Sequence, residues 1–460
     1  MDIGSGFTKC YDGQKILKSY YIIYNVMKQF IGFSVSFIST WYPRLCGIAS
    51  FTENTAYALN LYEDDIRHIK IHPIDKDGLI YRFPAKKKHI IHQMDSSSWI
   101  DAAEMIIDRY RRNKVKKMKT FAILEHEYGL DGNGRDNNYN EVAKKLKEGG
   151  VPNIVVLHTI LENPDDYQRD VIQQFGENCD KLVIITPSCK EVLKRVYGIE
   201  EKKIVHIPHG IPETHKRMTR RDAKEKLGLE NRVVISTAGL ISEGKGIEYG
   251  IKGFSKLLNI IKPSFREKLV YVVGGQTHPE IQKKYKGKDP YREKIHRIAK
   301  DEGLNPVVFT GDEKLNFPDS GVIFWNRYLT DNELVELIKA SDIMLLPYTN
   351  PEQVSSGNLA YSIGLGTAVV STKFRYARDI FSDEQGNPDG SGVLVDFRDE
   401  NAIAEGLRKG FENHVEIEAK AYQKGVTMGW SVVGKQMVNL LYNVAMEPSE
   451  IESATIPFLD

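Results

Sequence analysis

Short apolar runs alternate with longer amphipathic segments along most of the chain. Residues 103–110 illustrate the amphipathic type, because Ala103, Ile106, Ile107 and Tyr110 fall on one face of a helix. Five runs in the first half have the length and composition of buried strands: Phe33–Thr40, His89–Gln93, Thr120–His126, Asn153–Thr159 and Lys181–Pro187. This alternation predicts a parallel sheet with helices on both faces.

A second series of the same kind begins after His209-Gly210. The polar stretch Pro212–Lys226 predicts a linker or a surface helix. Six further strands are then expected, at Arg232–Ala238, Lys268–Gly274, Val307–Thr310, Val322–Trp325, Asp342–Pro347 and Thr367–Thr372. The pattern predicts an α/β chain of two Rossmann-like, doubly wound domains. Their strand ends should face each other across a ligand-binding cleft.

Composition excludes several other classes of protein. The chain has 460 residues, with 63 Lys+Arg against 62 Asp+Glu, and this balance argues against a general nucleic-acid-binding surface. Four cysteines without a C-x-x-C pair argue against a zinc ribbon or a dithiol site, and fit a cytoplasmic protein. No run of 18 apolar residues occurs and the first residues lack a signal-peptide pattern, so neither a membrane span nor secretion is expected.

The segment Gly239–Gly246 (GLISEGKG) is the first candidate for chemistry. It lies between a predicted strand and a helix that begins near Ile247. Glycines let a backbone approach phosphate, a helix N-terminus offers free N–H groups, and Lys245 adds a full positive charge. The alternative is a tight turn with a solvated lysine. Gly246 stands where a P-loop needs Ser or Thr to bind magnesium, which argues against an ATPase or kinase.

The second candidate lies in residues 342–372. A buried strand ends at Pro347, and Ser355 is predicted to cap a short helix. Ser356 and Gly357 would then offer backbone N–H groups to a phosphate. Together with Lys245, this segment predicts a site that holds a diphosphate between the N-termini of two helices. The alternative is a capped helix without a ligand.

Four segments resemble the donor-binding half of retaining GT-B glycosyltransferases of glycosyltransferase family 4. They are residues 238–254, 327–348, 355–372 and 390–407. In the first half, Thr40–Thr52 resembles a loop whose Gly47-Ile48-Ala49 turn lies under the donor phosphates. Residues 430–442 resemble the helix that crosses back to the first domain. The resemblance thus implies an acceptor-side domain at 1–212, a nucleotide-sugar domain at 213–428 and a helical segment at 429–460.

Two departures from the family pattern concern the donor site. Leu240 stands where most members have an arginine after Gly239, which leaves Lys245 as the basic phosphate contact. The Glu-x7-Glu motif would run from Glu352 to residue 360, which is Ala360, and the second glutamate normally binds ribose. Glu352 is therefore either a contact of the donor sugar or a loop residue.

Three further residues lie at the ends of predicted strands, at the expected cleft. The resemblance implies that His158 contacts the donor sugar or the reacting centre, whereas the alternative is a structural histidine. Glu125 and Glu127 flank His126 and are predicted to lie on the acceptor side. Their spacing does not match an H-E-x-x-H zinc site, so no metal site is expected. His72 and His92 also end predicted strands and are taken as structural.

The resemblance implies transfer of a sugar from a nucleotide-diphosphate sugar to a carbohydrate or lipid-linked acceptor, with retention at the anomeric carbon. Lys245 and the helix N-termini would replace a metal ion, so no cofactor is expected beyond the donor substrate. Alternatives are a sugar phosphorylase, a nucleotide-sugar epimerase, a nucleotide-sugar-binding protein without catalysis, and a P-loop NTPase. Oligomeric state stays open.

Arg109–Lys119 (RYRRNKVKKMK) has seven basic residues in eleven. It predicts a solvated helix end and loop. The alternative is peripheral contact with anionic lipid at the inner face of a membrane, because basic clusters are attracted to such surfaces.

Overall fold

The computed structural model describes residues 32–76, 89–213, 218–311 and 321–446. The described residues form two parallel seven-stranded sheets. The strands of the first sheet are β1 (Phe33–Ser39), β2 (Ile66–Asp75), β3 (Ile91–His92), β4 (Lys119–His126), β5 (Asn153–Leu157), β6 (Lys181–Ile184) and β7 (Ile204–His206). Those of the second are β8 (Val233–Ala238), β9 (Leu269–Gly274), β10 (Val307–Phe309), β11 (Gly321–Trp325), β12 (Ile343–Leu346), β13 (Ala368–Thr372) and β14 (Val393–Val395).

Helices follow most of the strands. Those of the first half are α1 (Gly47–Asn60), α2 (Ser96–Val115), α3 (Asn138–Glu148), α4 (Asp166–Asn178) and α5 (Cys189–Tyr197). The second half has α6 (Arg220–Leu227), α7 (Ile247–Ile260), α8 (Pro263–Arg266), α9 (Pro279–Lys284), α10 (Pro290–Asp301), α11 (Asp331–Ala340), α12 (Gly357–Gly364), α13 (Arg375–Ile380), α14 (Glu400–Glu412), α15 (His414–Gly425) and α16 (Trp430–Ala445). Among the described helices, none has the length and hydrophobicity to cross a membrane.

Strand order identifies both sheets as doubly wound. The first runs β3-β2-β1-β4-β5-β6-β7 and the second β10-β11-β9-β8-β12-β13-β14. In each sheet the order of strand addition reverses beside the first strand, between β1 and β4 and between β8 and β12. Ligands of open α/β sheets bind at such a switch point. The predicted fold class is confirmed, because two parallel sheets alternate with helices as expected.

Most predicted strands appear within two residues of their expected bounds, and the differences have local causes. β2 continues past His72 to Asp75, so His72 lies inside the strand and not at its end. Residues 220–227 of the charged stretch form α6, which Thr219 caps together with Asp222. The three-residue strands β7 and β14 were not predicted.

The C-terminal helix α16 crosses back to the first domain, as the fold prediction required. It packs along α1, and Gly434 lies so close that an added Cβ would come within 2.5 Å of the Ala58 carbonyl oxygen. The Tyr62 hydroxyl donates a hydrogen bond of 2.7 Å to the Ser431 carbonyl. We propose the same three-part division, 1–212, 213–428 and 429–460, for the whole chain, although residues 1–31 and 447–460 lie outside the described ranges.

Candidate functional site

A cleft of about 1300 Å³ lies between the two sheets. Its lining comes from loops at the carboxyl ends of parallel strands in both domains. The first domain contributes the loop from Pro43 to Phe51, the ends of β2 to β5, and His209 beyond β7. The second domain contributes the loops after β8, β9, β11 and β12. The predicted cleft is therefore present, built from the strand ends that the topology indicates.

Lys245 lines the cleft at the end of a short 3₁₀ turn after β8. Its ammonium nitrogen lies 4.1 Å from the centre of the Tyr348 ring, which follows β12. Burial opposes ionisation of Tyr348, but the Lys245 charge and hydrogen bonds with Ser356 and Asn358 outweigh it and lower the pKa of this phenol. The contact holds the Lys245 charge beside the start of α12.

Gly246 lies outside the cleft lining, which corrects the expectation that it contacts the donor phosphates. Its φ of +61° and an added Cβ only 2.0 Å from the Pro347 carbonyl oxygen show that it packs the turn against β12. The next amide, that of Ile247, donates to the Tyr291 hydroxyl at 3.1 Å. Tyr291 in turn donates to Glu248, so the first turn of α7 already faces a carboxylate. Of this loop, Lys245 therefore faces the cleft and the N-terminus of α7 does not.

The start of α12 lines the cleft one residue later than predicted. Ser356, not Ser355, caps the helix, since its hydroxyl accepts from the Leu359 amide at 3.3 Å. The amides of Gly357 and Asn358 are thus the first of the helix. The Asn358 side chain donates to the Ala238 carbonyl, which ties α12 to the end of β8. The Gly239 turn and the start of α12 therefore meet at one place in the cleft.

His158 follows β5 and lines the cleft from the first domain. Its Nε2 lies 2.7 Å from Oε2 of Glu125, at the end of the neighbouring strand β4. Glu125 is fully buried behind the histidine and lies outside the cleft lining, so the expectation that it contacts an acceptor is corrected. It instead fixes the ring orientation and leaves Nδ1 as the nitrogen available to a ligand.

Glu127 also lines the cleft, and its Oε2 accepts a 2.7 Å hydrogen bond from the Thr159 hydroxyl. Burial raises the pKa of Glu127, with Thr159 and His158 acting in the opposite direction. Beside it, Gln93 donates from Nε2 to the carbonyls of Gly129 and Gly132. These residues form the floor of the cleft on the predicted acceptor side.

His209 was not predicted as a site residue, yet it lines the cleft. Its Nδ1 lies 2.7 Å from the Gly210 carbonyl, which leaves Nε2 facing Gly357. Burial lowers the pKa of His209 to about 4, so the ring is neutral near pH 7. The one feature of the sequence that could have indicated His209 is its position after β7. That strand was itself not predicted from periodicity.

Glu352 lies outside the cleft lining and joins the two domains. Its Oε2 accepts from the Glu162 backbone amide at 3.1 Å and pairs with Arg375 at 3.1 Å. Arg375 also pairs with the Glu162 carboxylate at 2.9 Å. Of the two alternatives for Glu352, this placement favours the loop residue over the donor-sugar contact.

The structure brings most of the predicted site residues to one cleft. Those that line it are Gly47, Ile48, Glu127, His158, Gly239, Lys245, Ser355, Ser356 and Gly357. Lining residues that the sequence did not single out include Arg44, Gln93, His209, Tyr328, Asp331 and Asn358. Their positions in the cleft depend on tertiary packing, which no local motif encodes.

No group of three or more metal-ligating side chains occurs among the described residues. Cys46, Cys179 and Cys189 are free thiols, while Cys10 lies outside the described ranges.

Comparison with known proteins connects this geometry to a family. Residues 139–215 match the model of Glycosyltransferase Family 4. Mannosylfructose-phosphate synthase of Agrobacterium fabrum is 26% identical over 174 residues, which cover 37% of this chain and 33% of that protein. The chain thus matches about a third of the length of this curated relative.

Solved structures extend the similarity to nearly all of the fold. HepE of Anabaena in complex with UDP superposes with a TM-score of 0.62 and 12% identity, over 89% of this chain and all of that one. Sucrose-phosphate synthase of Thermosynechococcus elongatus gives a TM-score of 0.63 and 14% identity, over 90% of this chain and all of that one. The chain therefore has the GT-B fold, and its resemblance to glycosyltransferase family 4 is confirmed.

Proposed function

We propose that the protein is a retaining glycosyltransferase that uses a nucleotide-diphosphate sugar. The convergence of Lys245, the Gly239 turn and the start of α12 in one interdomain cleft is the observation that carries this proposal. A full cation and a helix N-terminus at one point form a site for a diphosphate. The similar HepE structure contains UDP, which makes a uridine nucleotide the first donor to test.

In the proposed reaction, the bond between the anomeric carbon and the diphosphate breaks. Negative charge then develops on the leaving diphosphate beside the Lys245 ammonium and the amides of Gly357 and Asn358. The acceptor oxygen forms its bond on the same face of the sugar, and its proton passes to a diphosphate oxygen. His158, held by Glu125, would contact the sugar from the opposite side of the cleft.

The first acceptors to test are sugar phosphates. Two similar proteins are named as synthases of phosphorylated disaccharides, sucrose-phosphate and mannosylfructose-phosphate. Arg44 and Lys76 line the first-domain side of the cleft, where they would attract an anionic acceptor.

Product analysis tests the proposal. The protein should release nucleoside diphosphate from a nucleotide sugar only with a suitable acceptor, and proton NMR of the product should show the anomeric configuration of the donor. Inverted product would contradict retention. Dependence on free phosphate would indicate a phosphorylase, turnover without an acceptor an epimerase, and binding without turnover a non-catalytic protein.

The basic segment Arg109–Lys119 is the basis of a second proposal, which concerns contact with a membrane surface. It lies at the end of α2, where Val115 is 87% exposed among exposed lysines. β4 begins at Lys119 and leads to Glu127, which lines the cleft, so the Lys119 end of this segment is about 25 Å from the cleft. We propose that it contacts anionic lipid without supplying the acceptor. Sedimentation with vesicles containing phosphatidylserine tests this; no salt-sensitive binding would contradict it.

A further inference from the structure

Strand order determines where the nucleoside of a bound nucleotide can extend. β9 and β11 lie successively on one side of β8, so the ends of β8 and β11 are about 10 Å apart. The cleft lining includes Gln276 after β9 and Tyr328 after β11, whereas residues after β13 do not contribute. A nucleotide with its phosphates beside Lys245 would therefore extend its nucleoside toward β11.

Asp331 lies at this end of the cleft as the first residue of α11. It is exposed, and it is the single carboxylate that the second domain contributes to the lining among the described residues. Tyr328, Leu329 and Leu334, its neighbours along the chain, also line the cleft and add aromatic and apolar surface. An accessible carboxylate beside such surface suits a polar group attached to a flat base.

The environment of Asp331 leaves it able to accept further hydrogen bonds. Burial by the surrounding cleft raises its pKa, while one hydrogen bond from the Asn54 side chain acts in the opposite direction. A carboxylate has about four acceptor positions, so this bond leaves room for two hydroxyl donors.

Position 360 supplies no polar group that could serve instead. Ala360 is fully buried on α12, but its neighbour Tyr361 lines the cleft and lies in the electrostatic field of Asp331. α11 and α12 pack against each other, which brings Asp331 to the same part of the cleft as the first turns of α12.

We propose that Asp331 binds the vicinal hydroxyls of the donor ribose, accepting one hydrogen bond from each on its two carboxylate oxygens. This inference rests on the proposed nucleotide-sugar function. Asp331 would then favour ribonucleotide over deoxyribonucleotide donors, because a deoxy ligand lacks the hydroxyl groups that donate these two hydrogen bonds.

Calorimetric titration with paired nucleotides tests the inference. The probes are UDP and 2′,3′-dideoxy-UDP, or the corresponding guanosine or adenosine pair if that ribonucleotide binds more tightly. Wild-type protein should bind the ribonucleotide about 10- to 100-fold more tightly than its dideoxy counterpart. Asp331→Asn should reduce this ratio to about threefold or less, mainly by weakening the ribonucleotide. Asp301→Asn, the same change on an exposed surface of this domain, should keep the wild-type ratio.

Three results would overturn the assignment. Wild-type protein that binds both nucleotides equally would show that the ribose is not recognised. An Asp331→Asn variant with an unchanged ratio would place recognition elsewhere, and equal weakening of both ligands would give Asp331 a purely structural role. If no nucleoside diphosphate binds at all, the proposed function itself fails, and this outcome is distinct from the other three.

Discussion

Lys245 is the residue on which the proposed chemistry depends most. Its ammonium rests against Tyr348 beside the start of α12, where the charge of a leaving diphosphate would develop. We expect Lys245→Ala to lower kcat about 10²- to 10³-fold, as the loss of one oxyanion-stabilising group does in other enzymes. Steady-state kinetics measures this, with Lys288→Ala as a control on an exposed lysine of the same domain. Equal turnover of the two variants would contradict the role of Lys245.

His126 gives a prediction about acid stability. It is fully buried against the edges of Tyr128, Tyr139 and Phe175, and neither ring nitrogen has a hydrogen-bond partner. Burial lowers the pKa of His126 to about 3, below its ordinary 6.5. The unfolded chain therefore binds the proton more tightly between these values, and the free energy of unfolding decreases as the pH falls from 6.5 toward 3.

Replacement of this ring tests the prediction. His126→Phe should remove on the order of 3 kcal/mol of the decrease in unfolding free energy between pH 7 and pH 4. Urea unfolding at both pH values measures it. His414→Phe, at an exposed position, should leave the pH dependence as in wild-type protein. A His126→Phe variant that loses stability with acid as steeply as wild-type protein would contradict the account.

Sequence predicts residues of this site only where a motif combines composition with a strand end. Lys245 and Gly357 were found in this way. His209 and Asp331 were missed, because each lies in the cleft through packing between distant elements. Glu352 shows the converse, since its motif indicates the donor while its contacts with Arg375 and Glu162 lie at the domain junction.

At the scale of elements, the turn between β8 and α7 depends on Gly246. An alanine there would need a left-handed backbone and would place its Cβ 2.0 Å from the Pro347 carbonyl oxygen. We expect Gly246→Ala to lower the free energy of unfolding by about 2 kcal/mol or more. Gly244→Ala is the matched control, because its Cβ would meet only the Ser242 hydroxyl at 3.9 Å. Chemical denaturation of both variants measures this, and equal stability would contradict the packing role of Gly246.

Elements with strong periodicity were predictable and the others were not. The apolar runs of β4, β5, β9 and β12 are buried along their whole length except for Lys119 at the start of β4, so composition alone indicates these strands. β2 is harder to recognise, because Arg67 and His68 are exposed and Pro73 interrupts the run. The one-residue shift of the α12 cap from Ser355 to Ser356 reflects two adjacent serines, either of which suits that position.

At the scale of the whole molecule, the loop before α12 belongs to both domains. Val354 packs in the core of the first domain, and its carbonyl accepts a hydrogen bond from Thr186. Arg375 pairs with Glu162 and Glu352 across the same junction. The arrangement of the two domains and the position of the loop that carries Ser356 and Gly357 are therefore linked.

Removal of the Arg375 guanidinium tests this link. Arg375→Ala should raise the KM for the donor on the order of tenfold with a smaller change in kcat, because the loop is placed less well before the reaction begins. Arg375→Lys should recover part of the loss, and Arg378→Ala, on the exposed face of the same helix, should behave as wild-type protein. An unchanged KM in Arg375→Ala would show that the junction does not position the loop.

We propose that a nucleoside diphosphate binds between the domains through Lys245 and the start of α12, without a metal ion. Calorimetric titration of UDP, GDP and ADP into wild-type, Lys245→Ala and Lys288→Ala proteins, each with EDTA and with Mg²⁺, tests it most directly. We expect at least one nucleotide to bind wild-type protein equally well in both buffers, and to bind the Lys245→Ala variant at least about tenfold more weakly. Binding that requires Mg²⁺, or that does not change after Lys245→Ala, would rule out this mode of nucleotide binding.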